Sequence, residues 1–173
     1  ANMIKAYMSD IKKSYNIQFI EEKEFLGTAG GLSLLKGKID STFFLSNCDI
    51  LVDADLECVY KTHKARKNKI TFVCSMKDFE IPYGIIETDK DGMITGMQEK
   101  PGFSYLINTG LYMIEPEVLD DINDGEFIHM PDLANRYLQK GEKVGVFPIS
   151  EKSWLDMGQF SEMENMMKNL GLK

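Results

Sequence analysis

Two aspartates in this sequence could hold a metal ion, because each follows a short apolar segment. Asp49 ends a stretch that begins at Thr42, and Asp156 lies between the chain's single tryptophan, Trp154, and Gly158. In parallel α/β sheets, ligands bind at the carboxyl ends of strands, which is where Asp49 is expected to lie. Alone, each aspartate is also typical of a turn or a helix cap.

The two carboxylates could form a metal site together if the fold brings them close to each other. At about 4 Å apart near a protein surface, two carboxylates repel each other by roughly 4 kcal/mol. A divalent cation between them converts that repulsion into binding, and Mg²⁺ prefers such hard oxygen ligands. The hypothesis to test is therefore whether Asp49 and Asp156 lie close together, because only then would they form a site for a divalent cation.

A second candidate is a loop of small residues between a predicted strand and a predicted helix, Leu26-Gly27-Thr28-Ala29-Gly30. Its glycines remove side chains that would block close approach, so backbone N–H groups could face a base or a phosphate. The loop has neither the G-K-[ST] of a Walker loop nor the G-x-G-x-x-G of a dinucleotide fingerprint. A tight turn with a helix cap would explain the same glycines.

Polar side chains in the middle of the chain could recognise a sugar phosphate. Glu99 could accept hydrogen bonds from sugar hydroxyls, and Lys100 could place a positive charge against a phosphate. Asn108 and Thr109 can both donate and accept hydrogen bonds. Taken singly, each of these residues is also typical of a solvated turn.

Other titratable residues have simpler interpretations. Asp53 and Asp55 have the D-x-D form by which many glycosyltransferases hold a metal, but they directly precede a predicted helix, which favours capping. His63 is predicted on the solvent-facing side of that helix. Neither His63 nor His129 has a cysteine or a second histidine at ligand spacing, so we predict no zinc site.

Composition excludes several classes of protein. The 173 residues carry 27 acidic and 20 basic side chains, a net charge of -7, without a cluster of Lys or Arg, so we expect no nucleic acid or anionic membrane partner. The chain has no apolar run of about 20 residues and no secretion signal, which predicts a cytoplasmic protein. Its three cysteines, an odd number without C-x-x-C spacing, predict reduced thiols.

Hydrophobic periodicity predicts an α/β fold with a mixed, mostly parallel sheet covered on both faces. In the first half, helices are expected over 3–15 and 53–67 and strands over 16–21, 42–46 and 70–74. A β-rich segment follows, with strands over 84–88, 93–97 and 106–114 and a hairpin turn at Gly92. Helices over 116–122, 131–139 and 160–170 and a strand over 144–148 complete the pattern.

The order of these motifs resembles the sugar-phosphate nucleotidyltransferase family, also called nucleotide-sugar pyrophosphorylases. The resemblance rests on segments 26–30, 47–49, 83–84, 99–101, 108–110 and 154–158, and covers nearly the whole chain. Segment 146–154 further resembles the branch that includes guanylyltransferases and members with CBS domains. The resemblance implies a Rossmann-like, three-layer nucleotide-diphospho-sugar transferase fold.

The resemblance also implies roles for individual residues. Asp49 and Asp156 would hold Mg²⁺ and, with Lys100, act in catalysis. The substrates would be a nucleoside triphosphate and a sugar 1-phosphate, joined into a nucleotide sugar with release of pyrophosphate. The residues implied in substrate binding are Leu26, Gly27, Thr28, Ala29 and Gly30 for the base and ribose, and Gly84, Glu99, Lys100, Asn108 and Thr109 for the sugar phosphate.

Two departures from the family pattern shape our expectations. Cys48 occupies a position where the family usually has glycine, and the family's N-terminal G-x-G-x-R-L-x-P loop is absent. We therefore expect 1–173 to be a single partial domain, N-terminally truncated, and nearly inactive alone. Apolar surface left uncovered by truncation is usually relieved by pairing, which predicts a homo-oligomer. The alternatives are a non-catalytic nucleotide-sugar-binding module and a metal-dependent glycosyltransferase using Asp53 and Asp55.

Overall fold

A computed structural model describes residues 2–158 of the chain. Its centre is a four-stranded sheet in the order β1-β6-β3-β7. The bounds of these strands are β1 Phe43–Ser46, β3 Ile70–Glu80, β6 Gly102–Ile114 and β7 Val144–Ile149. Two smaller sheets pair β2 (Ile50–Val52) with β8 (Trp154–Asp156) and β4 (Ile85–Thr88) with β5 (Ile94–Gln98).

Three α-helices and three short 3₁₀ helices accompany the sheets in residues 2–158. The α-helices are α1 (Asn2–Asp10), α2 (Leu56–Arg66) and α3 (Met130–Gln139). Short 3₁₀ helices span Gly30–Leu35, Pro116–Asp121 and Glu151–Ser153. None of the described helices is long and apolar enough to cross a membrane.

Alternation along β6 divides the core between the two faces of the sheet. Tyr112 and Ile114 belong to a cluster that includes Leu133 of α3 and Leu119, whereas Leu111 and Met113 pack in a second cluster with Val59 of α2. Successive strand residues point to opposite faces, so one strand serves both clusters. The result is three layers, as expected for the α/β class.

The sheet is mixed, as predicted, but most of its neighbouring pairs are antiparallel. β6 pairs antiparallel with both β1 and β3, and the pair of β3 with β7 is parallel. β1, β3 and β7 therefore run in one direction, and the reversed β6 lies between the first two. The prediction of mostly parallel pairing was wrong because periodicity does not reveal which strand inserts between which.

Two predicted elements near the N-terminus differ from the structure. Segment 16–21 is not a strand, and α1 ends at Asp10 rather than near residue 15. No residue of α1 is buried, so its apolar side chains have no surface against which a longer helix would pack. The predicted helix over 160–170 lies outside the described residues.

Candidate active site

The two aspartates predicted to bind a metal lie close together. β2 and β8 pair antiparallel with Ile50 opposite Asp156, and the N–H of Met157 donates to the carbonyl of Asp49 at 2.9 Å. The point that a Cβ on Gly158 would occupy lies 3.1 Å from Oδ1 of Asp156 and 3.8 Å from Oδ2 of Asp49. The β2–β8 ladder thus brings together two carboxylates more than one hundred positions apart in the chain.

A turn orients the second carboxylate. The N–H of Gly158 donates to Oδ1 of Asp156 at 2.9 Å, the two-residue turn that aspartate commonly makes. The turn interpretation of Asp156 is therefore confirmed, and it is compatible with metal binding because the carboxylate has further lone pairs to offer.

Both carboxylates line a cavity of about 490 Å³ that also contains Asn108 and Thr109. Its other lining residues among those described are Asn47, Ile50, Ile107, Gly110, Tyr112, Trp154 and Gly158. The cavity lies beyond the last residue of β1, on the side of the sheet where ligands of α/β proteins bind. Two carboxylates and the two amides of Asn47 and Asn108 therefore line one opening.

A bulge in β6 delivers Asn108 to this cavity. Val73 lies opposite Leu111 but the next residue, Cys74, lies opposite Asn108, so Thr109 and Gly110 are extra residues in β6. The Thr109 hydroxyl, which is buried, donates to the carbonyl of Val73 at 2.7 Å and accepts from the N–H of Leu111 at 3.3 Å. Thr109 thus satisfies backbone groups that the bulge takes out of the ladder.

The chemistry of the two carboxylates fits Mg²⁺. Within residues 2–158, no group of three or more His, Cys, Asp or Glu side chains could enclose a metal. Mg²⁺ does not need such a cage, since it keeps several waters and binds through one or two carboxylates plus substrate phosphates. A structural zinc site would need four protein ligands and does not fit here.

The small-residue loop packs against the segment that leads into α3. Ile128 donates to the carbonyl of Leu26 at 3.0 Å and accepts from the N–H of Ala29 at 3.0 Å. A Cβ on Gly27 would lie 2.5 Å from the carbonyl oxygen of Ile128, and one on Gly30 would lie 2.1 Å from that of Glu126. These glycines are required for close backbone packing, so the structural interpretation accounts for both of them.

The same loop borders a second cavity, of about 220 Å³. Gly27 and Thr28 line it, together with Glu22 and the apolar side chains of Ile20, Leu32, Leu34, Leu35 and Leu45. Leu45 belongs to β1, which ends beside the cavity that holds the carboxylates. The two cavities therefore lie near the same end of the sheet.

The remaining predicted sugar-phosphate residues, Gly84, Glu99 and Lys100, lie just outside the strands of the β4–β5 hairpin, at its open end. A Cβ on Gly84 would lie 2.9 Å from Oε2 of Glu99, so these two residues are in contact. Lys100 is exposed and has a positive φ of 44°. Within the described part of the chain, Gly84, Glu99 and Lys100 are not among the residues that line the carboxylate cavity.

Three predictions about polar residues outside the cavity can be compared with the structure. Asp55 caps α2 by accepting from the N–H of Cys58 at 2.9 Å, which confirms the capping interpretation. Cys48, Cys58 and Cys74 are free thiols, as predicted. The placement of His63 on a solvent-facing surface was wrong, because its side chain is fully buried and bonded to Thr71 and Glu115.

Asn47, Tyr112 and Glu22 line the two cavities but were not predicted from the sequence as site residues. Asn47 could have been found, since it lies two positions before Asp49 at the end of a predicted strand. No sequence pattern marks Tyr112 as a site residue, because it comes near Asn108 only through the bulge, and the bulge depends on how β6 pairs with β3.

This chain is similar in sequence to known nucleotidyltransferases. The family model described as Nucleotidyl transferase matches residues 1–171. A mannose-1-phosphate guanyltransferase from Saccharomyces cerevisiae is 38% identical over 151 residues, covering 83% of this chain and 41% of the yeast protein. A UTP–glucose-1-phosphate uridylyltransferase from Synechocystis sp. is 32% identical over 145 residues, covering 78% of this chain and 37% of the relative.

Among solved structures, HddC from Yersinia pseudotuberculosis superimposes with a TM-score of 0.70. It is 19% identical, and the match covers 98% of this chain and 73% of HddC. This likeness confirms the Rossmann-like α/β fold. The chain spans less than half the length of the yeast and cyanobacterial relatives.

Proposed function

Since this chain belongs to the sugar-phosphate nucleotidyltransferase family, we propose that its protein transfers a nucleoside monophosphate from a nucleoside triphosphate to a sugar 1-phosphate. The products are a nucleotide sugar and pyrophosphate. The observation that carries this proposal is the convergence of Asp49 and Asp156 on a cavity that also presents Asn108. With a divalent cation bound to them, two carboxylates in that position would suit a reaction between two phosphate substrates.

In the proposed reaction, a phosphate oxygen of the sugar 1-phosphate attacks the α-phosphorus of the triphosphate. The new P–O bond forms as the bond from the α-phosphorus to the pyrophosphate oxygen breaks, and the electron pair leaves with pyrophosphate. Asp49 and Asp156 are the proposed ligands of Mg²⁺, which when bound supplies positive charge to the phosphates. The chemistry depends on positioning and charge neutralisation and needs no covalent nucleophile.

Other residues are proposed to bind the two substrates. Lys100, the third proposed catalytic residue, would provide its charge to a phosphate, and Gly84 and Glu99 would contact the sugar phosphate beside it. Asn108 faces the carboxylate cavity and would bind a sugar hydroxyl. Because the Thr109 hydroxyl is bonded to backbone, Thr109 would act by supporting Asn108. The loop at 26–30 would contact the base and ribose.

Glu22 favours guanine as the base. Glu22 lines the second cavity beside Gly27 and Thr28, and its Oε2 accepts from the N–H of Leu26 at 3.4 Å, which leaves lone pairs on both carboxylate oxygens. A carboxylate accepts two hydrogen bonds side by side, and the N1–H and N2–H₂ groups of guanine donate two, whereas the edge of uracil offers a single N–H. Several of the relatives are named as mannose-1-phosphate guanylyltransferases, which agrees with this preference. We therefore propose GTP as the nucleotide and a hexose 1-phosphate as the acceptor.

The test is pyrophosphate release from the protein that contains this chain. It is incubated with GTP or UTP, with mannose 1-phosphate or glucose 1-phosphate, and with or without Mg²⁺. We expect Mg²⁺-dependent release that is fastest with GTP, and a smaller preference for GTP over UTP in Glu22→Gln. Absence of release with every pair of substrates would refute the reaction.

The 173-residue chain alone is proposed to be nearly inactive, because it does not contain the family's glycine-rich loop. Pyrophosphate release from it at a rate comparable to that of the longer protein would contradict this part of the proposal while supporting the reaction. We propose that 1–173 forms a single partial domain in a cytoplasmic protein. Self-association stays a prediction, and sedimentation velocity of the purified protein tests it.

Two alternative functions give different results. A nucleotide-sugar-binding module would bind a nucleotide sugar in calorimetry without turnover in the longer protein. A glycosyltransferase would lose metal binding in Asp53→Ala but not in Asp49→Ala. The capping role of Asp55 in α2 weighs against that second alternative.

A further inference from the structure

Asn108 lies at the cavity with its side-chain amide held at both ends. Its Oδ1 accepts from the N–H of Gly110 at 3.1 Å, and its Nδ2 donates to the hydroxyl of Tyr112 at 2.9 Å. Because an amide has two donors and about two acceptor lone pairs, each group retains one further hydrogen bond. These two contacts fix which edge of the amide carries the donor and which carries the acceptor.

The bulge in β6 brings the side chains of Asn108 and Tyr112 within hydrogen-bond distance. Residues 108 and 112 are four apart in sequence, but their partners on β3, Cys74 and Phe72, are two apart. Two positions on a strand are nearest neighbours on one face of the sheet. The two extra residues of the bulge therefore bring Asn108 and Tyr112 together on one face.

The ring of Tyr112 is held firmly. Its side chain is buried, with 4% of its surface exposed, and it makes an edge-on contact with Phe72 at 5.0 Å between ring centroids. From this packed position Tyr112 lines the cavity, and its hydroxyl contacts Asn108. Burial raises the pKa of Tyr112, so the phenol stays neutral at physiological pH and remains an acceptor for Asn108 that carries no charge.

We propose that Tyr112 is a positioning residue, which orients the Asn108 amide so that one N–H and one carbonyl lone pair face the sugar 1-phosphate. This inference rests on the proposed function. Removing the Tyr112 hydroxyl leaves the amide held only through Oδ1 by the N–H of Gly110, so its orientation is less fixed and binding of the sugar phosphate weakens while the carboxylate pair stays in place. The effect is transmitted through Asn108 and disappears when Asn108 is removed.

The test is a double-mutant cycle in the protein that contains this chain, with Tyr112→Phe, Asn108→Ala and both together. We expect Tyr112→Phe to raise the KM for the sugar 1-phosphate about tenfold, the effect of one oriented hydrogen bond. In the same variant, kcat and the KM for the nucleotide should each change less than about threefold. In the Asn108→Ala background, adding Tyr112→Phe should change the sugar-phosphate KM less than about twofold.

Controls separate this role from a structural one. Tyr60→Phe, at an exposed site on α2, should leave all three constants unchanged. If Tyr112→Phe does not fold, Thr109→Val and Thr109→Ser test the same geometry, and we expect a lower sugar-phosphate KM in the serine variant because it keeps the hydroxyl that supports the bulge. Equal KM values for those two variants would overturn the inference.

The outcomes for the inference and for the proposed function are distinct. An active wild-type protein in which Tyr112→Phe leaves the sugar-phosphate KM unchanged overturns the inference alone. The same holds if the rise in KM persists in the Asn108→Ala background. A wild-type protein that is inactive with every substrate pair overturns the proposed function and this inference with it.

Discussion

Gly110 and Asn47 are in contact so close that a side chain at position 110 has no room. The point that a Cβ on Gly110 would occupy lies 2.6 Å from Nδ2 of Asn47, and the N–H of Asn47 donates to the carbonyl of Gly110 at 2.9 Å. Gly110 also has a φ of +86°. The bulge in β6 and the loop after β1 are therefore tied together at the edge of the cavity.

We predict that Gly110→Ala destabilises the protein through two effects. The positive φ alone costs about 1–2 kcal/mol for a residue with a Cβ, and displacement of Asn47 adds about 1–3 kcal/mol. Gly92→Ala is the matched control, since Gly92 has a φ of +81° with nothing within 4 Å of its Cβ position. Urea unfolding of both variants gives the difference, and equal losses would contradict the close approach to Asn47.

The proposed metal ligands predict a large and selective loss of activity. Asp49→Ala or Asp156→Ala should lower kcat/KM at least about a thousandfold, since metal-ion catalysis supplies several kcal/mol of transition-state stabilisation. Asp53→Ala is the control, because Asp53 is exposed and only four positions from Asp49. Unchanged pyrophosphate release in Asp156→Ala at saturating Mg²⁺ would refute its role.

A buried histidine predicts a dependence of stability on pH. The Nδ1 of His63 lies 2.7 Å from Oγ1 of Thr71, and its Nε2 lies 3.0 Å from Oε1 of Glu115, which also accepts from Lys64 at 2.8 Å. Burial lowers the pKa of His63 below its ordinary 6.5 and outweighs the opposing hydrogen bond with Glu115. The neutral ring donates to Glu115 and accepts from Thr71.

Because the folded pKa is the lower one, the unfolded chain binds more protons as the pH falls below 6.5. We therefore predict that the free energy of unfolding is highest above that pH and decreases below it. His63→Gln should remove the dependence that begins as the pH falls below 6.5, whereas His129→Gln should keep it. An unchanged profile in His63→Gln would assign the dependence to another group.

Glu115 contributes in a lower pH range. Burial raises its pKa, but hydrogen bonds from Lys64, Thr42 and His63 outweigh burial and hold the pKa below 4.5. Its contribution to stability is present above pH 4.5 and is lost as the pH falls through the folded pKa. The two ranges allow the histidine and the glutamate to be distinguished in one titration.

Thr28 links the small-residue loop to α3. Its hydroxyl accepts from the N–H of Met130 at 3.0 Å and so satisfies a donor at the first turn of the helix. Thr28→Val should cost about 1 kcal/mol of stability, the usual value of such a cap, and Thr28→Ser should cost less. Chemical denaturation of the two variants measures this, and a valine variant as stable as wild type would show that the bond contributes nothing.

Local patterns in the sequence were sufficient for several features. The cap at Asp55 and the hairpin turn at Gly92 depend on residues within three or four positions, so both were predicted correctly. Asp49 and Asp156 were recognised as a pair from residue type and motif order, and the structure places them together. Residue types, their spacing over a few positions and the order of motifs are all present in the sequence, so these features did not require the tertiary structure.

Tertiary structure decided what depends on pairing between distant strands. The antiparallel β6 separates β1 from β3, its bulge brings Asn108 to Tyr112, and packing of α2 buries His63 against Thr71 and Glu115. None of these follows from periodicity, because a strand's alternation shows which residues share a face but not which strand lies beside it. The amino-acid sequence thus determined which groups could do the chemistry, whereas strand register determined which of them meet.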